Sequence, residues 1–195
     1  MVDQSRLYHW GGHFISGNGG SCVAAVTLSE ELELPAEKVA LYGSMKTENL
    51  GVEKVVANVI SNPNIRFLIV CGTDVRGHCS GDSLVCLHRN GLDSNNKVIG
   101  AKSAIPFIEN LPLKAVGRFR KQVEIIDLID VTDMDMILKS INSCLARNPG
   151  SFGEPMVVEP LPKDKIVETF HSEFALHSRL DMDLYGFVSS APEAG

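Results

Sequence analysis

The side chain best placed for chemistry is His78, in the segment IVCGTDVRGHCSGDSLVCLHRNG of residues 69–91. An apolar run ends at Gly72, a loop of small residues follows, and a helical pattern begins near Ser80. A neutral imidazole that projects from such a loop can bind a metal, act as a general base or donate a hydrogen bond. A surface or capping histidine is the competing interpretation, and position alone does not decide between them.

The same loop nearly matches the signature D-x-H-x-x-G, in which a histidine binds the cobalt of cobalamin from below and an aspartate orients that histidine. His78 and Gly81 fit the signature, but Arg76 occupies the aspartate position. Metal-bound histidines usually donate their other ring N–H to a carboxylate or a carbonyl. Asp74, four residues before His78, is the predicted partner. A backbone carbonyl or a water would serve as well.

Short apolar runs alternate with helix-like segments, which is the pattern of a parallel sheet with crossover helices. The sequence therefore predicts an α/β fold with a Rossmann-like open, mostly parallel sheet and helices on both faces. Strands are predicted at 23–28, 39–42, 65–71, 124–128 and, as a shorter strand, 98–100.

Helices are predicted between and after these strands. The first covers ENLGVEKVVANVISNP, and the second covers SGDSLVCLHRNG with Ser80 or Asp82 as its N-cap. Pro112 begins the third, because proline fits the first turn of a helix. Thr132 and Asp135 resemble a capping box that opens the fourth.

Three loops are predicted to form a binding site, because ligands of open α/β sheets bind where strand-to-helix loops converge. These loops are YGSMKTENLG, CGTDVRGHCSGD and GAKSAIPFIENLP. Their small residues would let a large, flat cofactor approach the backbone. The candidate cofactor-binding residues are Gly43, Thr47, Asn49, Thr73, Asp74, Gly77, His78, Cys79, Ser80, Ser103, Ala104, Ile105, Pro106 and Phe107.

Composition excludes several classes of protein. The 195 residues are 44% hydrophobic and 22% charged, as in soluble globular proteins. A net charge of −6 argues against a nucleic-acid partner, because phosphate-binding surfaces need an excess of Lys and Arg. Five cysteines without a CxxC pair, no signal pattern and no apolar stretch of about 20 residues predict a cytoplasmic chain that does not insert into a membrane.

The chain is predicted to have three regions. Residues 1–20 are an N-terminal arm, 21–150 form the sheet domain that carries the site, and 151–195 form a C-terminal appendage without a transmembrane helix. Within the appendage, DKIVETFHSEFALHSRL is predicted to be a helix or an irregular arm.

Zinc is an alternative metal. His9 and His13 have the spacing of a helical zinc pair, but Gly11 and Gly12 between them disfavour a helix. Cys71, His78 and Cys79 could also be combined, although Cys71 closes a buried strand and is typical of a core residue.

Two long segments resemble a known family. They are KTENLGVEKVVANVISNPNIRFLIVCGTDVRGHCSGDSL and VIGAKSAIPFIENLPLKAVGRFRKQVEIIDLIDV. They resemble the A subunit of tetrahydromethanopterin S-methyltransferase, the corrinoid-carrying subunit of the methanogen methyl-transfer complex, over about residues 41–149.

The resemblance implies a Rossmann-like domain that holds a cobamide, either 5-hydroxybenzimidazolylcobamide or cobalamin. The cobalt of this cofactor shuttles a methyl group from methyl-tetrahydromethanopterin to coenzyme M in methanogenesis. His78 occupies the position of the family's lower axial cobalt ligand. No residue is predicted to be catalytic, since the chain would be a carrier that works with other methyltransferase subunits.

One departure from the family concerns the C-terminus. Membrane-bound members carry an anchoring helix, whereas this chain ends in YGFVSSAPEAG. The chain is therefore expected to be a soluble homologue or to be shortened before the anchor. The loop GHCSGDS, richer in cysteine and less bulky than expected for subunits of the complex, favours the homologue.

Two other functions remain open. A nucleotide- or flavin-binding module of flavodoxin-like build would use the same loops without needing His78. A regulatory homologue would keep the fold without methyl transfer.

Overall fold

The computed structural model describes residues 7–159, together with the backbone of two short strands nearer the C-terminus. Its sheet has the strands β1 (Phe14–Ser16), β2 (Val23–Val26), β3 (Leu41–Gly43), β4 (Phe67–Gly72) and β5 (Glu124–Ile129) in the order β1-β3-β2-β4-β5. All neighbours are parallel except β1, which is antiparallel to β3. The predicted open, mostly parallel α/β sheet is confirmed.

Helices cover both faces of this sheet. They are α1 (Leu50–Ser61), α2 (Ser80–Asn90), α3 (Leu113–Gln122) and α4 (Met134–Ala146). Successive side chains of a strand point to opposite faces. In β4, Leu68 and Val70 accordingly pack in one buried cluster with α1, α2 and α3, whereas Ile69 and Cys71 pack with α4 in the other.

Two strand predictions were incomplete or wrong. Residues 14–16 were placed in an arm, yet they form β1 at the edge of the sheet, with Ile15 opposite Tyr42. Residues 98–100 form no strand. Val98 makes only a single bridge with Leu92, because no neighbouring strand continues the pairing.

Two helix caps were also predicted wrongly. Helix α4 is capped by Asp133, whose carboxylate accepts from the N–H groups of Asp135 and Met136, so Thr132 does not form a capping box. Helix α2 has no side-chain cap at its own N-cap residue, Cys79.

Residues 151–158 pack against the opposite end of the sheet from the predicted site. The guanidinium groups of Arg66 and Arg118 lie 5.2 and 4.6 Å from the ring centroid of Phe152. The Trp10 indole donates to the carbonyl of Val158 at 2.7 Å. These contacts join this segment to the sheet domain, while the predicted division at residue 150 stays a prediction.

The chain divides into two compact units, Met1–Glu159 and Pro160–Gly195. In the second unit, strands β6 (Leu180–Met182) and β7 (Val188–Ser190) pair antiparallel. The predicted helix or arm over residues 163–179 lies outside the described residues. Among the helices that are described, none has the length and apolar character needed to cross a bilayer.

Candidate functional site

The site lies at the carboxyl ends of the parallel strands. Strands β2 and β4 are neighbours although β3 separates them in sequence. The chain that leaves β2 therefore runs to one side of the sheet, towards β3, and the chain that leaves β4 runs to the other side, towards β5. In open α/β sheets ligands bind beyond such a switch point. His78 follows β4, and Leu28 follows β2. A Cβ at Gly81 would lie 3.0 Å from the Leu28 side chain, so the start of α2 packs directly on the loop after β2.

A buried carboxylate joins the three predicted loops. Glu48, in the loop after β3, accepts from Nδ1 of His78 at 2.8 Å through Oε2. Its Oε1 accepts from the backbone N–H of Ile105 at 3.2 Å. One side chain therefore fixes the loop after β3 to the loop after β4 and to the connection between α2 and α3.

The electrostatics of Glu48 determine which nitrogen of His78 is available. Burial opposes ionisation of Glu48, but hydrogen bonds from its own backbone N–H, from His78 and from Ile105 outweigh burial and lower its pKa. An ionised carboxylate only accepts hydrogen bonds, so Nδ1 of His78 carries a proton, and in the neutral imidazole the lone pair then lies on Nε2. The side chain of His78 is 55% exposed, whereas that of Glu48 is 5% exposed. The far nitrogen is therefore available to a ligand.

Asp74 has a different role from the predicted one. Its carboxylate accepts from the backbone N–H groups of Gly81 at 3.0 Å and Asp82 at 3.2 Å, at the first turn of α2. Helix N-terminal N–H groups lack partners within the helix, so a carboxylate there is stabilising. Asp74 therefore caps α2 from a distance, and the prediction that it orients His78 is wrong, because Glu48 does so.

The turn that carries His78 is held in an uncommon backbone conformation. Gly77 has φ 83° with no atom near its missing side chain, and Cys79 has φ 42°. The Cys79 carbonyl accepts from the hydroxyl of Ser83 at 3.0 Å, and that hydroxyl pairs with Ser103 at 2.7 Å. This chain of hydroxyls fixes the residue after His78 to the connection between α2 and α3.

Several other predicted site residues are engaged within the protein. Thr47 and Asn49 accept from the N–H groups of Gly51 and Leu50, so both cap α1. These capping bonds use the side-chain oxygens that a ligand would otherwise contact.

Three further candidates hold the loops together. The Thr73 hydroxyl donates to Glu30, and the Ser80 hydroxyl donates to the carbonyl of Met45. Gly43 lies where a side chain would collide with the backbone of β1, so its small size serves strand packing.

The predicted apolar patch is only partly exposed. Ala104 and Ile105 are exposed, and the Ile105 side chain retains 57% of its accessible surface. Phe107 is half-buried and Pro106 is buried. Ala104 and Ile105 are thus the members of the patch most open to an external ligand.

Glu48 was not among the predicted site residues. Its sequence signal was an acid in a strand-to-helix loop that the structure buries, and this burial depends on loops about 30 and 57 residues away.

Cys71 lies in the core, as the sequence predicts, and this disfavours the zinc combination that includes it. Burial raises the pKa of the Cys71 thiol to about 11, so it stays protonated in the core. Within the part of the chain that the structure describes, no three His, Cys, Asp or Glu side chains form a group that could hold a metal on their own.

Known proteins match most of the chain. The family model for the A subunit of tetrahydromethanopterin S-methyltransferase matches residues 4–168. The A 1 subunit of this methyltransferase from Methanothermobacter thermautotrophicus is 50% identical over 150 residues, 75% of this chain and 63% of that protein. The A subunit from Methanococcus maripaludis is 50% identical over 153 residues, 76% of this chain and 64% of that protein.

The alignment with a second group of relatives covers a larger share of their length. The A 2 subunit of tetrahydromethanopterin S-methyltransferase from Methanothermobacter thermautotrophicus is 45% identical over 158 residues, 80% of this chain and 86% of that protein. The chain thus spans less than two thirds of the two relatives above and most of the A 2 subunit. The chain belongs to the family of tetrahydromethanopterin S-methyltransferase A subunits.

Proposed function

We propose that the domain of residues 21–150 binds a cobamide and that Nε2 of His78 is the lower axial ligand of its cobalt. The observation that carries this proposal is the contact between Nδ1 of His78 and the buried Glu48, at 2.8 Å. It leaves one nitrogen lone pair exposed at the carboxyl end of the sheet. Membership of the methyltransferase family supports the identity of the ligand.

The donor set fits a corrinoid better than a free metal ion. A corrin ring supplies the equatorial nitrogens of its cobalt, so the protein needs to add a single axial ligand. A zinc site would need three or four protein ligands, and the described residues offer no such group. Gly77, next to His78, and Ala104, next to Ile105, are both exposed and small, so neither residue presents a bulky side chain to a broad, flat ligand.

The residues around His78 orient the ligand nitrogen. Glu48 fixes the tautomer of His78 and, by accepting its N–H, increases the basicity of the far nitrogen. The N–H of Ile105 holds the other oxygen of Glu48 and so resists rotation of the carboxylate. When bound, the cobamide would supply a cobalt that accepts and releases a methyl group.

The methyl donor and acceptor are part of the same proposal. The relatives are named as subunits of tetrahydromethanopterin S-methyltransferase, which supports a role for this chain, with other methyltransferase subunits, in methyl transfer from methyl-tetrahydromethanopterin. The family resemblance implies coenzyme M as the acceptor. The chain contributes binding and orientation, so we expect it to act as a carrier and not as a catalyst alone.

The test is to add hydroxocobalamin to the purified chain and to record the visible spectrum of the protein peak after size exclusion. We expect the cobamide to co-elute with the wild-type chain with a shifted spectrum. His78→Ala should lose the shift. His9→Ala is the matched control, since His9 is exposed and its neighbours bond Ser61 and Asn58 in the last turns of α1, at the far end of that helix from Glu48.

Two results would contradict the proposal. One is that His78→Ala and wild type give the same spectrum and affinity. The other is that the wild-type chain does not bind cobamides but binds a flavin or a nucleotide in the same assay, which is what the flavodoxin-like alternative predicts.

A further inference from the structure

Two exposed cations flank the paired side chains of the site. Lys46 lies two residues before Glu48, and Arg76 lies two residues before His78. Both are exposed, and neither makes an ion pair or a hydrogen bond with any other residue that the structure describes. Because Glu48 binds His78 directly, the two cations belong to adjoining loops on one surface.

The acids of these two loops face inward. Glu48 uses its carboxylate on His78 and Ile105, and Asp74 uses its carboxylate on the first turn of α2. The negative charges are thus held by internal donors, while the positive charges extend into solvent. In a chain with 24 acidic and 18 basic residues, this arrangement is suited to an anion approaching the His78 surface.

Lys102 is a third exposed cation on the same side of the sheet and serves as a comparison. Its Nζ lies 3.7 Å from Oδ1 of Asp82, and Oδ2 of the same carboxylate accepts from the backbone N–H of Lys102. Its charge is already partnered, so it offers less to an external anion.

Resting on the proposed function, we infer that Lys46 and Arg76 bind the phosphodiester of the cobamide's nucleotide tail. The phosphodiester is the only anionic group of a cobamide. If His78 takes the lower axial position, the base at the end of the tail is displaced from the cobalt, and the tail must lie elsewhere. Arg76 can present its planar fork to two phosphate oxygens, and Lys46 adds a point charge.

The test compares three ligands that share one corrin ring. Cobalamin has a phosphodiester and a base, cobinamide phosphate has a phosphate without the base, and cobinamide has neither. The affinity of each is measured by titration for wild type, for the double variant Lys46→Ala/Arg76→Ala and for Lys102→Ala.

We expect the double variant to bind cobalamin and cobinamide phosphate about tenfold more weakly, the change that one charge-assisted hydrogen bond supports. Its affinity for cobinamide should stay within about twofold of wild type, and Lys102→Ala should resemble wild type for all three ligands. In the wild-type chain, added salt should weaken binding of the two phosphate-bearing ligands more than that of cobinamide.

The failures of the two proposals are distinguishable. If the wild-type chain binds none of the three ligands, the proposed function fails and this inference fails with it. If wild type binds all three with the same affinity and salt response, only the inference on Lys46 and Arg76 is overturned. A loss in the double variant that is confined to cobalamin would also overturn it, because the base would then be the recognised group. The salt dependence of the wild-type chain tests the inference even if the double variant does not fold.

Discussion

Two buried glutamates hold the same connection between α2 and α3, in different ways. Glu48 accepts from the N–H of Ile105, and Glu53, in α1, accepts from the N–H and the side-chain amide of Asn110 at 2.7 Å each. Both residues are buried. Their pKa values nevertheless move in opposite directions, downward for Glu48 and upward for Glu53.

The two carboxylates differ in how far hydrogen bonds offset the effect of burial on the pKa. Burial dominates at Glu53, the nearby charge of Glu109 adds to it, and the bonds from Asn110 only partly offset the raised pKa. At Glu48, hydrogen bonds that include the one from His78 outweigh burial. Glu53 therefore fixes the loop alone, whereas Glu48 connects the loop to an exposed nitrogen. Burial of an acid is common to both, and only the chemistry of the partner indicates a site.

The largest expected effect is on stability at Glu53. Glu53→Ala removes the acceptor of both Asn110 groups and leaves them unsatisfied, so we expect the free energy of unfolding to fall by about 3 kcal/mol. Chemical denaturation measures this change. Glu109→Ala, at an exposed neighbour, is the control and should change stability by less than about 0.5 kcal/mol. Equal losses in the two variants would mean that Glu53 is not a structural anchor.

Substitution of Glu48 should change cobamide affinity more than it changes the free energy of unfolding. Glu48→Gln has one acceptor oxygen in place of two, so it can accept from His78 or from the N–H of Ile105 but not from both. We expect a loss in cobamide affinity of about 10- to 100-fold, as for other partners of metal-bound histidines. Glu53→Gln should stay within about threefold of wild type. Similar losses of affinity in both variants would remove the distinction between the two glutamates.

The hydroxyl pair of Ser83 and Ser103 should make a smaller contribution. Ser83→Ala breaks the bonds to Ser103 and to the Cys79 carbonyl, and we expect it to lower stability by about 1 kcal/mol. Ser140→Ala removes an exposed hydroxyl bond to the carbonyl of Met136 within α4 and is the matched control, with little expected effect. A loss at Ser140 as large as that at Ser83 would show that the buried pair has no special role.

The smallest expected effect is on pH dependence, through Glu53. A raised pKa in the folded state means that this carboxyl binds protons more tightly when folded. Its contribution to stability is therefore complete below the ordinary glutamate pKa, about 4.3, and is lost as pH rises through the raised value. The stability deficit of Glu53→Gln relative to wild type should shrink from acid to neutral pH. A deficit that grows over this range would contradict the raised pKa.

The central strands were predictable, because β2 and β4 are continuous apolar runs and β5 is apolar except for Glu124 and Asp127. Strand β1 was not, since FIS is only three residues long and lies beside glycines. The cap of α4 was missed by one position, because Thr132 and Asp133 are both good capping residues. Local pattern thus locates elements better than it locates their ends.

The site was predicted in the right place but with the wrong partner for His78. Asp74 is closer in sequence, yet the free N–H groups of α2 bind it. Glu48 reaches His78 only because β3 and β4 both lie beside β2 and the loops that follow them pack together. Such a contact depends on tertiary structure, and neither spacing nor residue type along the chain contains it.

The most direct test of ligation by His78 is electron paramagnetic resonance of the chain loaded with cobamide in the cobalt(II) state. If the axial nitrogen comes from His78, each cobalt line is split into a triplet. The triplet should become a doublet when the protein's histidines carry the heavy nitrogen isotope, and the labelled His78→Ala variant should not give this doublet. A triplet that persists in the labelled protein would show that the nitrogen belongs to the cofactor's own base, and it would contradict ligation by His78.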